Sequence, residues 1–256
     1  MMNTQAPSSW LINFKPRAQA KVRLFCFPYA GGASHIFRLW PDSLPPTIEV
    51  CPVHLPGRGK RLREAPFTHY QPFVQSIAEG LSPYLDKPFV LFGHSLGAML
   101  SFELARQLRR MNLPQPEHLF VTGRRAPQIV NSEPPTHNLP EAQFIAALRK
   151  LNGTPTEALE NPELMQLMLP LLRADFEVCD TYNYVSEEPL AIPVTAYGGL
   201  FDTGISREQI ESWREQTTAA FSLRMLPGDH FFINTSQTTL LRLLLEDLTP
   251  LLSKVS

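Results

Sequence analysis

Short apolar runs alternate with longer stretches of helical periodicity along most of the chain. The longer stretches cover Tyr70–Leu85, Leu96–Met111, Ser206–Thr217 and Thr238–Leu252. The apolar runs are Val22–Phe27, Ile48–Leu55, Pro88–Phe92, His118–Thr122, Ile192–Tyr197 and Phe221–Leu226. This alternation is typical of strand-helix units, so it predicts an α/β fold with a mostly parallel sheet flanked by helices.

One region departs from the alternation, between the run that ends at Thr122 and the run that begins at Ile192. A proline-rich segment, Asn131–Pro140, precedes two helical patterns at Glu141–Leu151 and Pro162–Tyr182. An apolar stripe usually marks a helix packed on the core, and that interpretation stays open. Long insertions on the side where parallel strands end tend to be functional. We therefore predict a single domain, residues 1–256, with a helical lid at about 131–185.

The charge balance and the N-terminus exclude several classes of partner. Lys plus Arg (23) nearly equals Asp plus Glu (24), so no overall field attracts nucleic acid or an acidic membrane. In Met1–Val22 the only apolar cluster, Trp10–Phe14, is too short for a signal sequence or a membrane span. Cys26 and Cys51 lie in apolar runs and are expected to be buried thiols. We expect a cytoplasmic protein; the oligomeric state stays open, with a monomer as the starting expectation.

The strongest local motif is Gly-His-Ser-Leu-Gly at Gly93–Gly97. It directly follows the run that ends at Phe92 and directly precedes the helical pattern from Ala98. The glycines allow a sharp turn between strand and helix, which exposes the Ser95 hydroxyl at the edge of the sheet. The motif therefore predicts an α/β-hydrolase fold with Ser95 as its nucleophile.

A serine nucleophile requires a histidine base and an acid that orients the base. In this fold the chain order is serine, acid, histidine. Three histidines follow Ser95, namely His118, His137 and His230, and only His230 comes after a late strand. His230 is therefore the predicted base.

Asp202 is the predicted acid, because it lies in the loop after the run Ile192–Tyr197. The main rival, Asp229, is adjacent to His230 in the chain and would have difficulty reaching its ring. Asp175 and Asp180 belong to the predicted lid.

The tetrahedral intermediate of acyl transfer requires two backbone donors. One is the amide of Leu96, which follows the nucleophile. The second comes from the glycine-containing loop of Phe27–Gly32, where Ala30 is the preferred donor and Tyr29 the alternative. This chemistry requires no metal and no organic cofactor.

Several segments together resemble the type II thioesterases, the free-standing editing enzymes of polyketide and nonribosomal peptide synthesis. Animal medium-chain fatty acyl carrier-protein hydrolases are similar to the same pattern. The segments that carry the resemblance are Phe27–Gly32, Leu55–Gly59 with Arg61, Gly93–Gly97, Gly123–Pro127, Gly198–Asp202 and Gly228–Phe232.

The resemblance implies hydrolysis of acyl groups from the phosphopantetheine arm of an acyl or peptidyl carrier protein, with Ser95, Asp202 and His230 as the triad. A basic stretch, Arg58 to Arg63, either meets the acidic carrier protein or is a solvated loop. Two other functions stay open. One is a carboxylesterase or acyltransferase on the same scaffold, and the other is a catalytically silent module that binds a carrier protein or small ligand.

Overall fold

A computed structural model describes residues 10–151, 153 and 159–254 of the chain. Its centre is a six-stranded sheet in the order β2-β1-β3-β4-β5-β6, in which every neighbouring pair is parallel. The strands are β1 (Val22–Phe27), β2 (Ile48–Pro52), β3 (Phe89–His94), β4 (Leu119–Thr122), β5 (Val194–Gly199) and β6 (Phe221–Leu226). The predicted α/β-hydrolase fold is confirmed.

Helices connect the strands and cover both faces of the sheet. They are α1 (Trp40–Ser43), α2 (Tyr70–Leu81), α3 (Leu96–Arg110), α4 (Glu141–Leu151), α5 (Pro162–Asp180), α6 (Arg207–Glu211), α7 (Phe232–Thr235) and α8 (Gln237–Lys254). Short 3-10 helices add Ser34–Phe37, Gly59–Arg61, Ser82–Tyr84 and Ser212–Gln216. No helix in the described ranges is long and apolar enough to cross a membrane.

Three predicted elements end three or more residues earlier than their apolar patterns. The strand predicted to Leu55 ends at Pro52, after which Val53 forms an antiparallel bridge with Leu11. The helix predicted to Leu85 changes at Ser82 into a 3-10 turn with proline at its start. The helix predicted over Ser206–Thr217 is α6 followed by another 3-10 helix. Apolar periodicity continues through such turns because their side chains still face the core.

Two apolar layers enclose the sheet. One contains α2 and α3 packed on inward residues of β1 and β3, such as Phe25 and Leu91. The other contains α1 and α8 packed on the opposite residues, such as Leu24 and Phe92. Because strands β1 to β5 are almost entirely buried, their sequences are nearly continuous apolar runs. The edge strand β6 is partly exposed and alternates apolar residues with Ser222 and Arg224.

The helices α4 and α5 form the insertion between β4 and β5. They have a small apolar core of their own, built from Phe144, Leu148, Leu159, Met165, Leu169 and Leu172. Residues 152 and 154–158 of the predicted lid lie outside the described residues. The helix α5 also contacts loops at the carboxyl edge of the sheet, where Leu172 lies against Gly31 and Leu171 against Gly57.

Candidate active site

Ser95 lies in the turn between β3 and α3. Its backbone has φ 55° and ψ −112°, a conformation that non-glycine residues rarely adopt. The Ser95 amide donates a hydrogen bond of 2.8 Å to the carbonyl of Thr122, which attaches the turn to the end of β4. Ser95 is partly exposed, whereas His94 and Leu96 on either side are buried. The strained turn therefore presents the hydroxyl at the carboxyl edge of the sheet.

The two glycines of the motif allow this turn to form. A Cβ atom at Gly93 would collide with the backbone of Gly97, and a Cβ atom at Gly97 would collide with the carbonyl of Phe27. Because backbone atoms cannot move aside as a flexible side chain can, any larger residue would separate α3 from β1 or from β3.

Asp202 and His230 are brought together by the loops that follow β5 and β6. The amides of Leu200 and Phe201 donate to the carbonyls of Leu226 and Gly228, at 2.8 and 2.9 Å. Across this contact, His230 Nδ1 lies 2.8 Å from Asp202 Oδ2. The rival acid Asp229 instead accepts a 2.8 Å hydrogen bond from the amide of Phe231.

The Asp202 carboxylate is stabilised in its charged form. Burial would raise its pKa, but the hydrogen bond with His230 and the bonds from the amides of Gly204 and Ile205 lower it below its ordinary value. Its side chain is only 4% exposed, whereas that of His230 is 20% exposed. The pair therefore consists of a buried anion and a histidine that solvent or a substrate can reach.

His94 connects the serine turn to the His230 loop. Its buried ring lies 5.3 Å from the His230 ring, measured between centroids, and its Nδ1 lies 2.7 Å from the hydroxyl of Thr122. Burial, with His230 nearby, lowers the pKa of His94 well below its ordinary value, so His94 is neutral.

Among the described residues, Ser95 Oγ has no hydrogen-bond partner. Such bonds often form only when substrate is bound.

The two predicted oxyanion donors have free backbone amides in the part of the chain that the structure describes. Leu96 is the first residue of α3, where an amide has no acceptor within the helix. In the early loop, Gly32 N donates to the carbonyl of Tyr29 and Gly31 N to Asp175. The amides of Tyr29 and Ala30, the two candidate second donors, therefore both stay available.

The structure corrects the picture of the basic stretch. Arg58 and Arg61 are buried, so they do not form a solvated docking surface. Arg58 pairs with Asp175, while Arg61 pairs with Glu64 and lies over the Trp10 ring. Of this stretch, Lys60 and Arg63 are exposed.

Sequence reasoning missed the role of Asp175, which it placed in the lid and set aside. Arg58 lies in the Leu55–Gly59 segment that carries the resemblance, but no local pattern indicated what it binds. Its partner could not be identified, because Arg58 and Asp175 are separated by 117 positions.

Other chemistry in the described residues is limited. No group of three or more His, Cys, Asp or Glu side chains there is arranged to hold a metal ion. A cleft of about 520 Å³ lies between α2 and α3, and the residues that line it include Gln75, Arg106 and Glu187. None of Ser95, Asp202 and His230 lines this cleft.

Comparison with known proteins gives the family. The thioesterase domain model matches residues 22–248. The chain is 46% identical over 241 residues to the gramicidin S biosynthesis protein GrsT of Aneurinibacillus migulanus, covering 94% of each chain. It is 47% identical over 242 residues to a Brevibacillus parabrevis protein named linear gramicidin dehydrogenase LgrE, covering 93% of this chain and 92% of that one.

A solved structure agrees with these relatives. YbtT, a type II thioesterase of the yersiniabactin pathway, superimposes with a TM-score of 0.83 at 31% identity, covering 93% of this chain and 97% of that one. The chain therefore belongs to the thioesterase family, among the type II thioesterases of nonribosomal peptide and polyketide biosynthesis.

Proposed function

We propose that this thioesterase releases acyl groups from the phosphopantetheine arm of a carrier protein, using Ser95, His230 and Asp202 as its catalytic triad. The observation that carries the proposal is the Asp202–His230 pair, held at 2.8 Å beside the strained Ser95 turn. An acid, a base and an exposed serine hydroxyl at one sheet edge are the groups that acyl transfer requires.

In the first half-reaction, His230 accepts the Ser95 proton as Oγ bonds to the thioester carbonyl carbon. Negative charge moves to the carbonyl oxygen, where the Leu96 amide and the amide of Ala30 or Tyr29 stabilise it. The carbon–sulfur bond then breaks, and the pantetheine thiol leaves with the proton held by His230. Asp202 keeps the imidazole in the required tautomer and stabilises its charged form.

In the second half-reaction, His230 accepts a proton from water, whose oxygen attacks the acyl-serine carbonyl. The ester bond breaks, Ser95 regains the proton, and the free acid departs. None of these steps calls for a metal or an organic cofactor.

The named pathways of the relatives support a carrier protein as the partner, because GrsT and YbtT belong to gramicidin S and yersiniabactin biosynthesis. We further propose that the enzyme works as a monomer in the cytoplasm beside its synthase, that residues 1–256 form one domain, and that α4 and α5 act as the lid. The free thiols of Cys26, Cys51 and Cys179 suit a reducing compartment.

The name of LgrE raises oxidoreduction as a second candidate. A dinucleotide site places a Gly-x-Gly-x-x-Gly turn after the first strand, whereas the turn after β1 here reads Pro-Tyr-Ala-Gly-Gly. The serine turn and the Asp202–His230 pair favour hydrolysis.

The test is release of free acid from acetyl- and octanoyl-loaded carrier protein, measured beside the matching oxygen esters. We expect faster turnover of the thioesters and a loss of at least about a thousandfold in kcat for Ser95→Ala, since the nucleophile is absent. The matched control is Ser101→Ala, which removes another hydroxyl of α3, one that donates to the carbonyl of Ala98.

Each other outcome identifies a different function. Preference for oxygen esters would make the chain a carboxylesterase, and transfer to an added acceptor an acyltransferase. Absence of turnover together with failure of a serine-directed phosphonate to label Ser95 would indicate a binding module.

A further inference from the structure

The insertion places one carboxylate against the early loop of the active site. Asp175 lies on α5, and its Oδ2 accepts a 2.7 Å hydrogen bond from the amide of Gly31. The same carboxylate accepts bonds of 2.7 and 3.0 Å from the Arg58 guanidinium. The side chains of Arg58 and Asp175 are 4% and 1% exposed. This carboxylate therefore forms a buried, fully hydrogen-bonded ion pair.

Arg58 extends the same network to the next residue of the loop. Its Nη1 also donates to the carbonyl of Gly32, at 2.9 Å. The Arg58–Asp175 pair thus binds one backbone donor, the Gly31 amide, and one backbone acceptor, the Gly32 carbonyl. These bonds hold the Ala30–Gly31 and Gly32–Ala33 peptide groups, and the bond from the Gly32 amide to the Tyr29 carbonyl holds the peptide group between them. The orientation of the whole turn from Tyr29 to Gly32 is therefore fixed.

Apolar contacts hold α5 at the same place. Gly31 has φ +74°, and a Cβ atom there would collide with Leu172 of α5. A Cβ atom at Gly57 would lie 3.1 Å from Leu171 of the same helix. The helix therefore approaches the loop closely enough for the Asp175 carboxylate to reach the Gly31 amide.

This network decides which amides remain for the reaction. The Gly31 amide is bound to Asp175 and the Gly32 amide to the carbonyl of Tyr29, so neither can bind a substrate oxygen. The amides of Tyr29 and Ala30 have no acceptor among the described residues, and they lie beside the serine turn, where the oxyanion would form. Their direction depends on the turn that Asp175 and Arg58 fix.

We propose that Asp175 and Arg58 are positioning residues, which aim the oxyanion loop at Ser95 only while α5 is seated on it. The inference rests on the proposed function, because it concerns how the same site stabilises the oxyanion. It also gives a reason for a buried ion pair, which is costly to desolvate and contributes little to stability on average. The contact of α5 with the loop and the stabilisation of the oxyanion therefore occur together.

The test is Asp175→Asn, which keeps the size of the side chain but removes the charge that binds Arg58. We expect kcat for carrier thioesters to fall about tenfold to a hundredfold, with KM changed less than about threefold, because the loss concerns the transition state. Hydrogen exchange should accelerate in peptides that cover residues 27–32 and in α5.

The matched control is Glu103→Gln, in a buried pair of α3 that makes no hydrogen bond to residues 27–32 among the described residues. Glu103 and Arg106 are 2.7 Å apart, with side chains 2% and 3% exposed. This control should keep the exchange of residues 27–32 and a kcat within about threefold of the parent enzyme. Equal losses of kcat in both variants would mean general destabilisation and would overturn the proposal.

Unchanged hydrogen exchange of residues 27–32 in Asp175→Asn would also overturn the proposal. If Asp175→Asn fails to fold, Arg58→Lys replaces it, since an ammonium group cannot reproduce the two-nitrogen bond of the guanidinium with both oxygens of Asp175. Unaltered kcat and exchange in Arg58→Lys would refute the proposal. The exchange measurement does not depend on activity. A parent enzyme that is inert toward thioesters would refute the proposed function and leave this structural test in force.

Discussion

At Gly97 the helix α3 lies directly against the end of β1, and the lack of a side chain there has a measurable consequence. A methyl group there would meet the carbonyl of Phe27, a backbone atom at the start of the oxyanion loop. We predict that Gly97→Ala lowers the free energy of unfolding by about 1–3 kcal/mol, as overpacking does. We also expect kcat to fall at least about tenfold, because α3 carries Ser95 and the Leu96 amide.

Urea unfolding and hydrolysis of carrier thioesters measure the two effects. Ser101→Ala provides a control in the same helix, since it shortens a buried side chain without new contacts. If Gly97→Ala retained parental stability and kcat, the close approach of α3 to β1 would not limit the site.

At the scale of elements, α4 and α5 have a core separate from the two layers on the sheet. Phe144 is fully buried in it, 5.4 Å from the Phe176 ring and with the Arg173 guanidinium 4.6 Å from its centroid. We predict that Phe144→Ala loosens these two helices while the sheet stays folded, because local units can open below the global unfolding free energy. Limited proteolysis should then cleave within residues 141–180 faster than in the parent.

The control for this prediction is Phe102→Ala in α3. Phe102 packs on Trp213 in the main core, with ring centroids 5.2 Å apart. That variant should lower the global unfolding midpoint, as large-to-small core changes do. A Phe144→Ala protein whose global midpoint fell as far would show that the insertion unfolds together with the sheet.

At the scale of the whole molecule, the sequence predicted the order of the elements well, but it did not predict contacts between residues far apart in the chain. Strands β1 to β5 are almost entirely buried, so their apolar runs can be identified without their neighbours, and the serine turn has its own glycine spacing. The helix α4 begins and ends where its pattern predicted, at Glu141 and Leu151. The Arg58–Asp175 pair had no local signal, since only the folded chain brings a loop after β2 to a helix after β4.

Two histidines, the partly buried His118 and the buried His94, give the molecule a predictable response to acid. His118 lies stacked on Phe120, with ring centroids 4.2 Å apart, and its Nε2 is 2.9 Å from the hydroxyl of Thr195. Burial lowers the pKa of His118 from 6.5 to about 4, although Asp247 opposes the change. In the unfolded chain His118 therefore binds a proton near pH 6.5, whereas in the folded chain it binds one only near pH 4.

Stability must fall as the pH decreases through this window, because the unfolded state binds more protons there. A pKa change from 6.5 to about 4 corresponds to at most about 3 kcal/mol, lost progressively between these two values. We predict that His118→Gln, compared by urea unfolding at pH 7 and pH 5, loses less stability on acidification than the parent. The exposed His35→Gln serves as the control and should keep the parental slope. The dependence of stability on pH should become weaker in His118→Gln but not vanish, because His94 is also buried and neutral. An unchanged dependence would mean that His118 binds its proton as readily in the folded chain as in the unfolded one.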